Sequence, residues 1–262
     1  MLAGVVVLLL ALLWAAQRRL IFLPDGDPGA ATAVVGPTAR EVRLSTEDGL
    51  ELRAWLIGPT GADRRVHVLF APGNAGHRGY RAGLARRLAA DGFTVLLLEY
   101  RGFGGNPGSP SEEGLARDAR AAQRFLVEHA GARPDRLLYF GESLGSAVVT
   151  GLAVSHPPAG LLLRSPFTDL ASVGQRHYPF LPVRLLLRDR FDVVGAMQRV
   201  HAPTIVAYGG ADRVVPPELS QTVADAAPEL VRTLRLAGAD HNDQVLLDGN
   251  EILDAVAELA PH

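Results

Sequence analysis

The segment YFGESLGSA (residues 139–147) joins a short apolar run to a stretch of small residues. Its serine, Ser143, stands between Gly141 and Gly145, where a strand should become a helix. Glycines relieve crowding at such a crossing, and a serine held there in a strained turn is exposed beside the positive end of a helix dipole. The segment predicts a nucleophilic serine. A serine N-cap on an ordinary strand–helix turn is the alternative.

Short apolar runs alternate with amphipathic segments along most of the chain. Strands are predicted over 41–46, 50–57, 66–71, 94–100, 136–141, 160–164, 204–208 and 231–236. Helices are predicted over 78–90, 111–130, 144–155, 217–226 and 243–259. This alternation is typical of an α/β protein with a doubly wound, mostly parallel, eight-stranded sheet. The turn at 47–49 predicts an antiparallel hairpin at its start.

Two further loops carry chemistry that a serine nucleophile needs. A serine hydroxyl requires a base, and the base requires a third group to orient it. Asp212 follows the strand at 204–208, and His241 follows the last strand. Both loops lie at the carboxyl ends of strands, where such sheets bind ligands. Asp240 and Asp243 are too close to His241 in sequence to face its ring, so Asp212 is the predicted acid.

The loop FAPGNAG (70–76) supplies candidate donors for an oxyanion. The backbone N–H groups of Asn74 and of Leu144, the residue after the nucleophile, are the predicted pair. His77 follows this loop directly and is a tentative substrate-lining residue. A plain strand–helix turn also uses Gly and Asn, so the loop alone leaves both interpretations open.

Composition narrows the function classes. The 262 residues fit one globular domain, with 48% hydrophobic and 21% charged residues. A formal net charge of −2 and the lack of a basic, aromatic-rich run argue against nucleic acid. The chain has no cysteine, which excludes disulfides and thiolate metal sites. Every basic residue in the Lys+Arg count is arginine, so a lysine base is excluded too.

The N-terminus, MLAGVVVLLLALLWAA (1–16), is apolar and is followed by Gln17, Arg18 and Arg19. We expect residues 1–23 to form a single-pass membrane anchor. A cleaved signal peptide, and hence export, is the main alternative, and a buried helix is a third. The two arginines favour a cytoplasmic catalytic domain. Residues 24–40 are rich in Pro, Gly and Ala and are predicted to be a linker to a domain spanning 41–262.

The motifs of this chain resemble those of a known family. The chain is similar to α/β-hydrolases, and more narrowly to the bud-emergence-protein-like subgroup that includes membrane-anchored animal depalmitoylases. The resemblance runs from about residue 18 to the C-terminus. Besides the three reacting residues it rests on GNAG (73–76), YRGFG (100–104), PSEEGLARDARAA (110–122), SPFTDL (165–170) and YPFLPVRLLLRDRFD (178–192).

The resemblance implies the α/β-hydrolase fold with Ser143 as nucleophile, Asp212 as acid and His241 as base. It also implies a small helical cap at about 167–200. Two positions depart from the family pattern. Pro72 stands where the oxyanion loop usually has histidine, and Asp240 replaces the usual glycine before the catalytic histidine.

These observations predict a membrane-anchored serine hydrolase that cleaves an acyl ester or thioester through an acyl-enzyme, with no cofactor or metal. The apolar cap favours a lipophilic acyl group, as in a lipid or an acylated protein, with Tyr178 and Phe180 as tentative lining residues. Packing of the cap onto the core explains its composition equally well. An amidase or aminopeptidase with the same residues is the nearest alternative. A non-catalytic, membrane-tethered binding protein is the alternative from another class.

Overall fold

The computed structural model describes residues 2–261. Its strands are β1 Leu23–Pro24, β2 Ala39–Ser45, β3 Glu51–Ile57, β4 His67–Ala71, β5 Ala75–Gly76, β6 Thr94–Leu97, β7 Leu137–Glu142, β8 Gly160–Arg164, β9 Thr204–Gly209 and β10 Leu230–Leu236. Its α-helices are α1 Leu2–Ile21, α2 Ala31–Val34, α3 Ala82–Ala90, α4 Glu112–His129, α5 Leu144–Ser155, α6 Leu170–His177, α7 Val183–Leu186, α8 Val193–Met197, α9 Pro217–Asp225, α10 Gln244–Asp248 and α11 Asn250–Leu259. Short 3₁₀ turns precede α3 and β7.

Within this described part, eight strands form one sheet in the order β10-β9-β8-β7-β4-β6-β3-β2. Strand β3 runs antiparallel to both of its neighbours, and all the other pairs are parallel. The predicted mostly parallel, eight-stranded sheet with an initial hairpin is therefore confirmed. The two central strands, β4 and β7, carry the predicted oxyanion loop and the Ser143 turn at adjacent carboxyl ends.

Alternating side chains along each central strand enter two different cores. In β7, Tyr139 packs with α4 and α5 on one face, while Leu138 and Phe140 pack with α3 and α11 on the other. Successive residues of a strand point to opposite faces, so a continuous apolar run is required when helices cover both. This double burial fixes the register of β7 and with it the position of the residue that follows the strand.

The predicted helices are found with one break. The segment predicted over 243–259 divides into α10 and α11 at Gly249. A Cβ at Gly249 would lie 2.2 Å from the carbonyl oxygen of Val245, so no larger residue fits this close corner. The break explains why the long amphipathic pattern did not give one helix.

Helix α1 (Leu2–Ile21) covers most of the segment predicted as a membrane anchor. Within residues 2–261 no helix has both the length and the apolar character needed to cross a bilayer. The membrane anchor over 1–23 stays a prediction. The final turn of α1 is polar and is bonded to other parts of the protein. Gln17 is buried, and Arg18 pairs with Asp189 at 2.7 Å.

Residues 24–40 differ from their prediction as a linker. Strand β1 pairs with β5 at the end of the predicted oxyanion loop. Helix α2 and the residues after it bury Ala31, Val35 and Ala39 in the core on the α3 side of the sheet. The small apolar residues that suggested flexibility instead fill space against the sheet, so this segment belongs to the folded domain.

Three short helices, α6, α7 and α8, lie between β8 and β9 and occupy the region predicted as the cap. Asp169 and Asp192 begin α6 and α8 by accepting hydrogen bonds from backbone N–H groups of Ser172 and Gly195. Such capping favours short helices that propensity alone would leave marginal. The cap covers the carboxyl ends of the central strands, next to the last turn of α1.

Candidate active site

Ser143 sits on the turn between β7 and α5 in a conformation that L-residues rarely adopt. Its φ is +51° and its ψ is −114°. The turn is held because the Ser143 N–H donates to the Arg164 carbonyl at 2.8 Å, continuing the pairing of β7 with β8. A strained backbone of this kind persists only where its surroundings enforce it, and it is concentrated at functional sites.

The two glycines around Ser143 have a steric explanation. A Cβ at Gly145 would lie 2.0 Å from the carbonyl oxygen of Ala71. A Cβ at Gly141 would lie 2.6 Å from the carbonyl oxygen of Gly145. Only glycine at both positions lets α5 cross β7 and β4 closely enough to place Ser143 at the top of the sheet.

Asp212 and His241 are brought together as the sequence predicted. Asp212 Oδ2 lies 2.7 Å from His241 Nδ1, and both side chains are almost completely buried. The other carboxylate oxygen of Asp212 accepts the N–H groups of Val214 and Val215, at 2.9 and 2.8 Å. These bonds aim the carboxylate at the ring, leaving Nε2 as the histidine nitrogen available for proton transfer.

Among residues 2–261, no protein group makes a hydrogen bond with the Ser143 hydroxyl. The structure therefore places Ser143 and the Asp212–His241 pair at the same edge of the sheet without a serine–histidine hydrogen bond. Catalytic hydrogen bonds are often long before substrate binds. The roles of the three residues remain a prediction.

The predicted oxyanion donors flank the same small pocket. Ser143, Leu144 and Asn74 all line a cavity of about 80 Å³. Within the described chain, the N–H groups of Leu144 and Asn74 have no protein acceptor. The Asn74 side chain donates to the Ile21 carbonyl at 2.6 Å, which ties the loop to the end of α1.

The two departures from the family pattern have clear structural roles. The carbonyl oxygen of Pro72 accepts a hydrogen bond from the Tyr100 hydroxyl at 3.0 Å. This buried bond holds the loop in place. Asp240 accepts the N–H groups of Arg213 and His241 and pairs with the Arg213 side chain. These contacts lower the pKa of Asp240 to about 2, with the Arg213 N–H as the largest cause. Neither residue removes a reacting group.

The sequence analysis did not predict a largely buried ion cluster next to Ser143. Glu142, next to Ser143, pairs with Arg164 at 2.7 Å and with Arg81. Burial alone raises the pKa of Glu142, but Arg164 and Arg81 outweigh it and lower the pKa to about 2. Arg164 also donates to the His241 carbonyl at 3.3 Å. A charged residue in the middle of the turn was the available signal, but its partners are remote in sequence.

The three tentative substrate-lining residues, His77, Tyr178 and Phe180, lie in different surroundings. Tyr178 lines a larger apolar groove of about 430 Å³ between α1 and the cap. His77 and Phe180 line neither this groove nor the Ser143 pocket. His77 Nδ1 accepts the Gly79 N–H, and its ring stacks on Tyr80, so its role is local. Phe180 points to solvent and is 79% exposed.

The chain is similar in sequence to several known proteins. A family model described as serine aminopeptidase, S33, matches residues 62–188. The uncharacterized protein Rv2307c of Mycobacterium tuberculosis is 49% identical over 93% of this chain and 87% of its own length. The α/β hydrolase domain-containing protein WAV2 of Arabidopsis thaliana is 30% identical over 82% and 76%.

A relative with a stated activity is the lysophosphatidylserine lipase ABHD12 of Danio rerio, 29% identical over 71% of this chain and 58% of that protein. Among solved structures, the esterase Pf2001 of Pyrococcus furiosus superposes with a TM-score of 0.74 at 20% identity, covering 91% of this chain and 98% of the esterase. Protein bem46 of Schizosaccharomyces pombe is 27% identical over 97% of this chain and 90% of its own length. WAV2, ABHD12 and bem46 confirm the family resemblance, and the esterase structure confirms the fold. The chain belongs to the α/β-hydrolase superfamily, in its bem46-like subgroup.

Proposed function

We propose that this protein is a serine hydrolase that cleaves an acyl ester or thioester through a covalent acyl-enzyme. The observation that carries the proposal is the strained Ser143 turn at φ +51°, on the same sheet edge as the 2.7 Å Asp212–His241 hydrogen bond. An ordinary N-cap serine has extended backbone and accepts a hydrogen bond from its own helix. Ser143 does neither.

In the proposed reaction, His241 Nε2 removes the hydroxyl proton as Ser143 Oγ attacks the carbonyl carbon. The N–H groups of Asn74 and Leu144 stabilise the resulting oxyanion. His241 then returns the proton to the leaving alcohol or thiol, which departs and leaves the acyl group on Ser143. Water attacks this ester with His241 again as base, releasing the carboxylic acid. Asp212 keeps the imidazole in the required tautomer.

The Ser143 pocket and the adjoining groove favour esters over the substrates of an aminopeptidase, whereas Asp240 and Asp243 line a separate cavity beside His241. Within the described chain, no acidic side chain lines the Ser143 pocket or the adjoining groove. Recognition of a peptide α-ammonium group requires such a negative partner. The walls are instead mostly aliphatic or aromatic, which favours a lipophilic acyl group. Matched ester, thioester and amide substrates would separate the two reactions, with the amide expected to react least.

A fluorophosphonate probe tests the proposal, since it phosphonylates activated serines. Wild type is expected to be labelled and Ser143→Ala is not. Ser165→Ala is the matched control, because Ser165 follows the neighbouring strand, also has positive φ (+49°) and is buried without a partner for its hydroxyl. Labelling that survives Ser143→Ala, or folded wild type that is never labelled, would sink the proposal. The second result favours the non-catalytic alternative.

A further inference from the structure

The groove between α1 and the cap lies directly beside the Ser143 pocket. Five residues line both cavities: Ile21, Asn74, Leu170, Val173 and Val214. One end of a chain lying in the groove would therefore be close to Ser143. The groove volume of about 430 Å³ is in the range of small-molecule sites.

The chemistry of the groove suits an alkyl chain. Among the described residues, no Asp, Glu or Arg side chain lines it. Two of its polar groups are already occupied: the Asn74 amide donates to the Ile21 carbonyl, and His177 Nε2 bonds with the Val214 carbonyl at 2.9 Å. The surface left for a ligand is mainly hydrocarbon. Binding an alkyl chain there is favourable because it buries apolar surface, whereas a polar ligand group would find few partners.

Helix α1 is fixed in place as one wall of this groove. The Gln17 amide donates to the Leu186 carbonyl at 3.0 Å and accepts the Arg188 N–H at 2.8 Å. Arg18 makes two hydrogen bonds to buried Asp189, at 2.7 and 2.9 Å. Hydrogen bonds to charged and buried partners are the stronger ones, so the last turn of α1 and the cap form one unit.

We infer that α1 is part of the substrate-binding site, and that the groove between α1 and the cap binds the unbranched acyl chain of the substrate and selects its length. The inference rests on the proposed function for its link to catalysis. It assigns α1 a role in specificity that the apolar sequence of residues 1–16 does not suggest. Groove-lining Leu13, Trp14 and Leu20 come from this helix.

Trp14 allows a binding test that is independent of catalysis. It lines the groove and is partly exposed, whereas Trp55, the other tryptophan, is fully buried in the core. A bromine atom quenches tryptophan fluorescence on contact. We therefore expect sub-micellar 12-bromododecanoate to quench the emission of full-length Ser143→Ala, and Trp14→Phe in that background to abolish the quenching.

Two exposed leucines of α1 give a matched pair of variants. Leu20 lines the groove and is 61% exposed, while Leu12 does not line it and is 57% exposed. Neither change removes a core side chain. In the Ser143→Ala background, Leu20→Asp is expected to weaken bromododecanoate binding roughly tenfold, because it places a charge against the chain. Leu12→Asp is expected to leave binding unchanged.

With the active enzyme, kcat/KM for p-nitrophenyl esters should rise about fourfold per methylene until the groove is filled. Leu20→Asp should remove this rise, whereas Leu12→Asp should retain it. Absent quenching, quenching that persists in Trp14→Phe, or equal effects of Leu20→Asp and Leu12→Asp would overturn the inference. Chain binding without Ser143 labelling would instead overturn the proposed function and leave the groove assignment standing.

Discussion

Asp212 Oδ2 and His241 Nδ1 meet at 2.7 Å, although the two residues are 29 positions apart in the sequence. They lie on the loops that follow the neighbouring strands β9 and β10. Asp243 is far closer to His241 in sequence, but its carboxylate accepts the Asp240 N–H at 2.7 Å and so caps its own loop. The geometry of the sheet, and not sequence proximity, selects the partner of the histidine.

Asp212→Asn should lower kcat by about 10³–10⁴-fold, because an amide can stabilise the wrong imidazole tautomer. Circular dichroism and ester hydrolysis measured together would check this. The matched change Asp243→Asn should keep kcat within a few-fold of wild type. Similar losses in both variants would contradict the assignment of Asp212.

Gly145→Ala should destabilise the protein by at least about 2 kcal/mol, since its Cβ would lie 2.0 Å from the Ala71 carbonyl oxygen. Gly151 lies later in the same helix, and a Cβ added there would have open space within 4 Å. Gly151→Ala should therefore stabilise the helix by up to about 1 kcal/mol. Urea unfolding of the three proteins gives the comparison, and equal stabilities would rule out the close crossing of α5.

Glu142→Gln should destabilise the protein by about 3–5 kcal/mol at neutral pH, because it leaves buried Arg164 and partly buried Arg81 without their carboxylate. The pKa of Glu142 is about 2 in the folded protein, below its ordinary value. A lowered pKa gives stability that is fully present above about pH 5 and is lost as the pH falls towards 2.

The free energies of unfolding of wild type and Glu142→Gln should therefore converge as the pH falls from about 6 towards 2. Glu113→Gln is the control, because Glu113 is exposed and pairs with Arg117 on the surface of α4. Its difference from wild type should stay small over the same range. A gap for Glu142→Gln that is constant with pH would show that this carboxylate is not held ionised by Arg81 and Arg164.

Local patterns predicted the parts of the fold that depend on local physics. Apolar runs of strand length gave the eight strands, and Gly141 and Gly145 gave the turn, because no other residue fits that crossing. The loops after β9 and β10 could be placed at one edge of the sheet since parallel strands end together. That rule predicted that Asp212 and His241 belong to the same site.

The missing features depend on partners that are distant in sequence. Arg18 and Asp189 are separated by 171 positions, so the sequence of α1 could not show that its polar turn docks on the cap. Burial of Ala31 and Val35 depends in the same way on the sheet that they cover. Glu142 gave a visible sign of charge beside the nucleophile, but only the fold shows that Arg81 and Arg164 surround it.

The central claim, an acyl-enzyme on Ser143, can be tested directly by mass spectrometry. The enzyme is mixed with a p-nitrophenyl ester, quenched in acid and digested with trypsin, which releases Ser143 in the peptide 137–164. We predict that this peptide gains the mass of the acyl group, that fragmentation places it on Ser143, and that Ser143→Ala shows no gain. Ester turnover without an adduct on Ser143, or with one at another residue, would contradict the account.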